Sequence, residues 1–183
     1  MSDSRTGLVK VMGIDPGSTI TGYGIIESDG ARSVYMHHGH IRVKGDNFAQ
    51  RLGHIHSELN NIIEQWQPHE VAIEQVFLSN NPMSALKLGQ ARGAAITAVV
   101  SHDIPVNEYA ARSVKQVVTG SGGADKSQVQ TMVKALLGLN RPIQIDAADG
   151  LAIAICHAHS RMNRTTPAGL TPRKRQRGRG LRR

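Results

Sequence analysis

Aromatic side chains are nearly missing from this sequence: two Phe, one Trp and three Tyr make up 3% of its 183 residues. A core must therefore be built from Ile, Val, Leu, Ala and Met. Cysteine is scarcer still. Cys156 stands alone, which excludes an internal disulfide and suits a reducing compartment, and its expected role is that of a small buried apolar residue. No apolar run reaches the ~18 residues of a membrane span. The opening Met1-Ser2-Asp3-Ser4-Arg5-Thr6-Gly7 lacks the apolar centre of a signal peptide, so the sequence predicts a cytoplasmic protein with no membrane partner.

Acidic residues are also in deficit, 14 against 22 Lys and Arg, for a formal net charge of +8. The imbalance is local. Residues 167–183 hold Arg173, Lys174, Arg175, Arg177, Arg179, Arg182 and Arg183 with no acid, so +7 lies there and residues 1–166 carry only +1. Rich in Gly and Pro and without apolar periodicity, this end is predicted to be disordered. The expected organisation is one domain over residues 1–164 and a basic tail over 165–183. Such a tail attracts polyanions without reading sequence.

Against that scarcity, the acids that remain fall in a pattern. Leu8–Ile14 is a nearly unbroken apolar run, as in a strand buried on both faces, and it stops at Asp15. His69–Gln75 is a second such strand, with Glu74 at its end. Ile143-Gln144-Ile145 leads into Asp146 and Asp149. One carboxylate at a strand end is most often an ordinary polar stop; three in similar settings suggest one shared metal site. Asp146 and Asp149 are three apart and share a helix face, near an N-terminus whose dipole favours negative charge. Capping alone would explain Asp146 but explains Asp149 poorly.

Between these segments, Thr21–Glu27 and Ser33–Val43 read as strands joined at Asp29-Gly30. Phe48, Leu52, Ile55, Leu59, Ile62, Ile63 and Trp66 make the stripe of an amphipathic helix. Ser84–Val100 is a helix of small residues. Gly89 and Gly93 cost it about 1 kcal/mol each, which implies that the sheet or a second copy of the helix approaches their backbone. Ile104–Tyr109 is a fifth strand and Ala111–Val118 a short helix. Asp125 and Gln128 form a capping-box variant, and a last helix covers Asp146–Met162. His37, His38, His40, His54 and His56 are expected on the surface, and His157 and His159 as helix C-terminal residues. The sum is an α/β domain with a mixed five-stranded sheet flanked by helices.

Four converging acids would repel one another severely unless protonated or neutralised by cations. Oxygen donors favour Mg²⁺ or Mn²⁺ over zinc. Two such ions about 4 Å apart can activate water and stabilise the leaving oxygen of a phosphodiester. A basic protein with such a site points to a nuclease.

Four stretches together resemble the RuvC family of Holliday-junction resolvases: Gly13-Ile14-Asp15-Pro16-Gly17-Ser18, Ala72-Ile73-Glu74-Gln75-Val76-Phe77, the run from Ser84 to Gly93, and Asp146-Ala147-Ala148-Asp149 with Ala152-Ile153-Ala154. The resemblance covers roughly residues 8–160. It implies a ribonuclease H-like fold and a Mg²⁺-dependent homodimeric endonuclease, with Mn²⁺ able to substitute and two ions per site. Such an enzyme nicks opposed strands of four-way junction DNA in recombination and repair, leaving 5′-phosphate and 3′-hydroxyl ends. A branch-migration complex of the RuvA–RuvB type is the implied partner. The resemblance makes Asp15, Glu74, Asp146 and Asp149 the metal ligands and catalytic acids, with Asp15 shared between ions. It gives Lys115 and Lys126 the scissile backbone and Phe77 a base to stack on. Each of these has a plainer reading, as solvated charge or core Phe. Arg92 fits either a phosphate contact or an ion pair. Asn80 replaces a basic residue of the family, and Gly150 stands where Ala is expected and should loosen the helix start.

Two other classes compete. A nucleotide-binding protein is suggested by Gly120–Ser127, which nearly fits a P-loop, but Asp125 puts negative charge where phosphate would sit and a helix precedes the loop. Asp15–Ser18 also resembles the phosphate turn of actin-like ATPases, which need a second half that this length cannot supply. A junction-binding module without catalysis would use the acids only as caps, and would be unmoved in activity by Asp15→Asn.

Overall fold

The computed structural model describes residues 7–76 and 81–165. Phe77, Asn80 and the basic residues from Arg173 onward, with the expectations attached to them, lie outside the described residues. Ten elements follow in the order β1 (Val9–Asp15), β2 (Ile20–Ser28), β3 (Ser33–Arg42), α1 (Phe48–Trp66), β4 (Glu70–Glu74), α2 (Pro82–Val100), β5 (Val106–Tyr109), α3 (Ala111–Thr119), α4 (Lys126–Leu136) and α5 (Ile145–Thr165). One mixed sheet runs β3-β2-β1-β4-β5. The three N-terminal strands are antiparallel neighbours, and β4 and β5 are added parallel to β1 through the helical crossovers α1 and α2.

Alternation along β1 and β4 divides the core into two layers. Met12, Ile14, Val71 and Ile73 face α1 and α2, where they meet Ile55, Leu59 and Ile63 together with Ala91, Ala95 and Val99. Val11, Ala72 and Tyr109 face α5, against Ala147, Leu151, Ala152, Ala154 and Cys156. Fully burying an aliphatic side chain such as Leu59 contributes roughly 1.5–3 kcal/mol. The single thiol is buried as expected.

α5 lies almost directly on the backbone of β1 and β2. A Cβ on Gly13 would stand 2.1 Å from the Gly150 carbonyl oxygen, and one on Gly22 would stand 1.9 Å from that of Asp146. From the helix side, a Cβ on Gly150 would meet the Tyr23 backbone at 2.6 Å. The expectation that Gly150 loosens the helix is therefore wrong: the missing methyl is what lets the helix seat.

Helix ends follow local chemistry. Asn47 and Asn81 cap α1 and α2 through their side-chain oxygens, and Asp125 with Gln128 makes a reciprocal capping box on α4. Gln67, left-handed at φ 48°, ends α1 with its N–H on the Ile63 carbonyl. The reasoning about Gly89 and Gly93 needs correction in part. Both are exposed, and a Cβ at either would meet nothing within 4 Å, so the sheet is not the close partner. The buried side of α2 is its alanine stripe.

Candidate active site

Asp15 is the last residue of β1 and Glu74 the last of β4. These strands are parallel neighbours with Ile14 opposite Ile73, so both carboxylates leave the same end of the sheet. Asp15 shares parity with Val11 and Glu74 with Ala72, which turns both toward α5. Asp149 descends from the second turn of that helix. The three acids line one cavity of about 260 Å³, closed laterally by Lys115 from α3, Lys126 from α4, and Val114, Val129, Ala152 and Ile153. The turn after Asp15 is fixed by Gly17, whose N–H and carbonyl both bond to the Thr21 hydroxyl. A side chain there would strike the Ile20 carbonyl at 2.0 Å, so chain packing alone accounts for that glycine.

The cavity concentrates negative charge in a partly dry setting. Burial, then the charges of Glu74 and Asp149, push Asp15 up to about 7 from an ordinary 3.8. Burial also raises Glu74, with Asp149 adding to it. Asp149 is raised by burial against the opposing pull of Lys126, whose ammonium stands 3.4 Å from its Oδ2. Lys126 is raised in turn, chiefly by Asp149. Asp146 is half-buried and does not line the cavity, although its charge acts on Asp15, Asp149 and Lys126. Among the described residues no three His, Cys, Asp or Glu side chains are drawn into a ready-made ion cage. The donors are carboxylates, whose hard oxygens match Mg²⁺ or Mn²⁺, and their shared excess charge is of the kind a divalent cation relieves.

Of the two roles open to Arg92 the structure shows the ion pair, and two further features escaped the sequence: its bond to the Glu74 backbone and the burial of His157. Arg92 of α2 donates from Nε to the Glu74 carbonyl oxygen at 3.1 Å and stands 2.8 Å from Glu108 Oε2. His157 belongs to the core at 1% exposure, bonded to the Tyr109 hydroxyl at 2.8 Å and to Glu70 Oε2 at 2.5 Å. Arg161 holds the other Glu70 oxygen at 2.9 Å. The histidines expected on the surface are half-buried. His37 stacks on Trp66 at 4.7 Å, and His56 bonds Asn60. None lines the acidic cavity.

A mixed sheet in this order, with acids ending two adjacent parallel strands and a third on the helix laid across them, defines a ribonuclease H-like domain with an acidic centre. The model of the family "Crossover junction endodeoxyribonuclease RuvC" matches residues 11–157. The crossover junction endodeoxyribonuclease RuvC of Psychromonas ingrahamii is 57% identical over 150 residues, 82% of this chain and 87% of the relative. That of Idiomarina loihiensis is 54% identical over 174 residues, 92% and 97% of the two chains. The solved structure of Thermus thermophilus RuvC in complex with Holliday junction substrate superposes with a TM-score of 0.78 at 33% identity, covering 85% of this chain and 96% of the other. The chain belongs to the RuvC family of crossover junction endodeoxyribonucleases.

Proposed function

We propose that this protein resolves four-way DNA junctions by paired symmetric nicks, through water attack on the phosphodiester that leaves 5′-phosphate and 3′-hydroxyl ends. The observation that carries this reading is the cavity where Asp15, Glu74 and Asp149, from segments far apart in the chain, meet between Lys115 and Lys126. Membership of a family that includes a member solved with a Holliday junction supports the substrate class.

In this reading Asp15, Glu74 and Asp149 hold the cations, with Asp15 shared and Asp146 completing the set from the first turn of α5. Mg²⁺, replaceable by Mn²⁺ and bound as two ions, supplies activation of the attacking water and charge neutralisation at the leaving oxygen. Lys115 and Lys126 grip the scissile backbone, Lys126 exchanging Asp149 for phosphate. Phe77 stacks on an unpaired base near the crossover, worth about 1–3 kcal/mol.

Paired nicking of a two-fold substrate calls for a two-fold protein. The outer face of α2 suits the contact, since Met83, Leu86 and Val100 are at least half exposed and Gly89 and Gly93 leave the backbone open. Sedimentation at micromolar concentration should give a dimer; a monomer with full paired cleavage defeats this assignment. A RuvA–RuvB type branch-migration complex is the proposed assembly partner, and the cytoplasm the proposed site of action. Among the described residues no helix is long and apolar enough to cross a membrane.

Digestion of a synthetic immobile junction with Mg²⁺, scored for symmetric nicks, tests the whole reading. Glu74→Gln should keep junction binding and lose nicking; nicking at the unaltered rate refutes the role given to that acid.

A further inference from the structure

We infer that Arg92 is a positioning residue for Glu74, acting through the backbone of β4 rather than on DNA. The inference rests on the proposed role of Glu74. The ladder between β4 and β5 ends at the pair Glu74 and Tyr109, so the peptide after Glu74 is the first without a full set of strand partners. Its N–H, on Gln75, still reaches the Tyr109 carbonyl at 2.8 Å. Its carbonyl oxygen, on Glu74, accepts from Arg92 Nε at 3.1 Å. With donor and acceptor both held, this peptide plane is fixed, and with it the direction in which the Glu74 side chain leaves the sheet.

Arg92 suits the task because its guanidinium is planar, always charged and able to serve two partners at once. Glu108, on β5, stands 2.8 Å from Nη2 as an ion pair, although the angle falls outside hydrogen-bond geometry. The side chain is 19% exposed. Held by Nε on a backbone carbonyl and with Nη2 beside the Glu108 carboxylate, the guanidinium is turned to the edge of the sheet, which favours the ion-pairing role of the two open to it from sequence. The strut also joins three elements, α2, β4 and β5, at the end of β4 that carries Glu74.

The test compares Arg92→Gln, Arg92→Lys and Glu108→Gln with Glu74→Gln as reference, in the full-length protein. Single-turnover nicking of an immobile junction, the Mg²⁺ concentration for half-maximal rate, junction affinity in EDTA, and Tm are measured for each. Arg92→Gln should slow nicking about ten- to a hundredfold, the scale of an ångström-level misplacement, and raise the half-saturating Mg²⁺ concentration. Junction affinity in EDTA should hold at the unaltered value. Glu108→Gln leaves the carbonyl bond in place and should have a smaller effect in the same direction. Arg92→Lys should recover part of the rate, because it keeps the charge but lacks the rigid planar fork that spans the carbonyl and Glu108. An unchanged rate and Mg²⁺ dependence in Arg92→Gln, beside an inactive Glu74→Gln, overturns the inference and leaves the acid's role standing. A lowered Tm with unchanged kinetics overturns it likewise, as does a loss of junction affinity that accounts for the whole rate defect. Normal nicking by Glu74→Gln removes the basis of both. Should Arg92→Gln fail to fold, the other two variants decide, and Mg²⁺ dependence unshifted in both is the negative result.

Discussion

The two faces of the sheet are packed by different rules. On the α1 and α2 face, Met12, Ile14, Ile55, Leu59 and Ile63 interdigitate as aliphatic side chains do in most cores. On the α5 face the closest contacts are backbone on backbone, at Gly13, Gly22 and Gly150, and the acids gather at the end of that seam. The first face holds the protein together with side chains that can be exchanged for others of similar volume. The second sets the distance between α5 and the strands that carry Asp15 and Glu74. Both faces bury side chains, but only the α5 face adds a seam of main-chain contact that sets a spacing.

The sharpest break in that division should come from the acids themselves. Asp15→Asn should cut junction nicking by about a hundred- to a thousandfold or more, the scale seen when a preorganised electrostatic group is removed. Junction binding should survive, and a gel-shift assay run beside a nicking assay checks both. Next in size, Gly150→Ala should destabilise by roughly 1–3 kcal/mol or more through overpacking and also slow nicking per folded molecule, because the helix can only yield by moving. Leu59→Ala, on the opposite face, should cost about 2–5 kcal/mol yet leave the rate per folded molecule at the unaltered value. Denaturant melts combined with active-site-normalised rates separate the two; equal kinetic damage from both would erase the contrast.

A gentler probe is pH. Asp15 is raised from 3.8 to about 7 in the folded protein, so between those values the folded state binds more protons than the unfolded one. Stability in EDTA should therefore fall as pH rises from about 4 through 7. Glu74 and Asp149, also raised, add to the same slope. Melting curves across that range should show the decline, and Mg²⁺ should flatten it by favouring the ionised carboxylates. The smallest effect expected is Asp125→Ala, which removes the cap of α4 at about 1 kcal/mol. In a chain of this size that is a fall of roughly 2–4 °C in Tm.

Much of this architecture was legible in the residues. Strand ends at Asp15 and Glu74, the stripe of α1, and the box at Asp125 and Gln128 are written in local pattern and turn chemistry, which act within a few positions. What was hidden depends on partners far apart in sequence. Nothing near Gly150 announces that Tyr23 lies against it, so its missing methyl looked like a weakness. His157 sits late on its helix, and only the fold brings Glu70 and Tyr109 to its two nitrogens. Arg92 carries a charge that suits DNA, and only coordinates show it turned inward to a carbonyl and Glu108. Helical spacing groups Asp146 with Asp149, but it cannot tell that Asp149 alone of the two lines the cavity.

The seam at Gly13, Gly22 and Gly150 also bears on how such a sequence can drift. A contact between two main chains has no rotamers to exchange, so a methyl gained there has no compensating substitution nearby. A library randomised in both layers and selected only for nicking should return assorted aliphatics beneath α1 and α2, while Gly13 and Gly22, the tightest points of the seam, come back as glycine. The catalytic spacing is, in this sense, inherited through the absence of side chains.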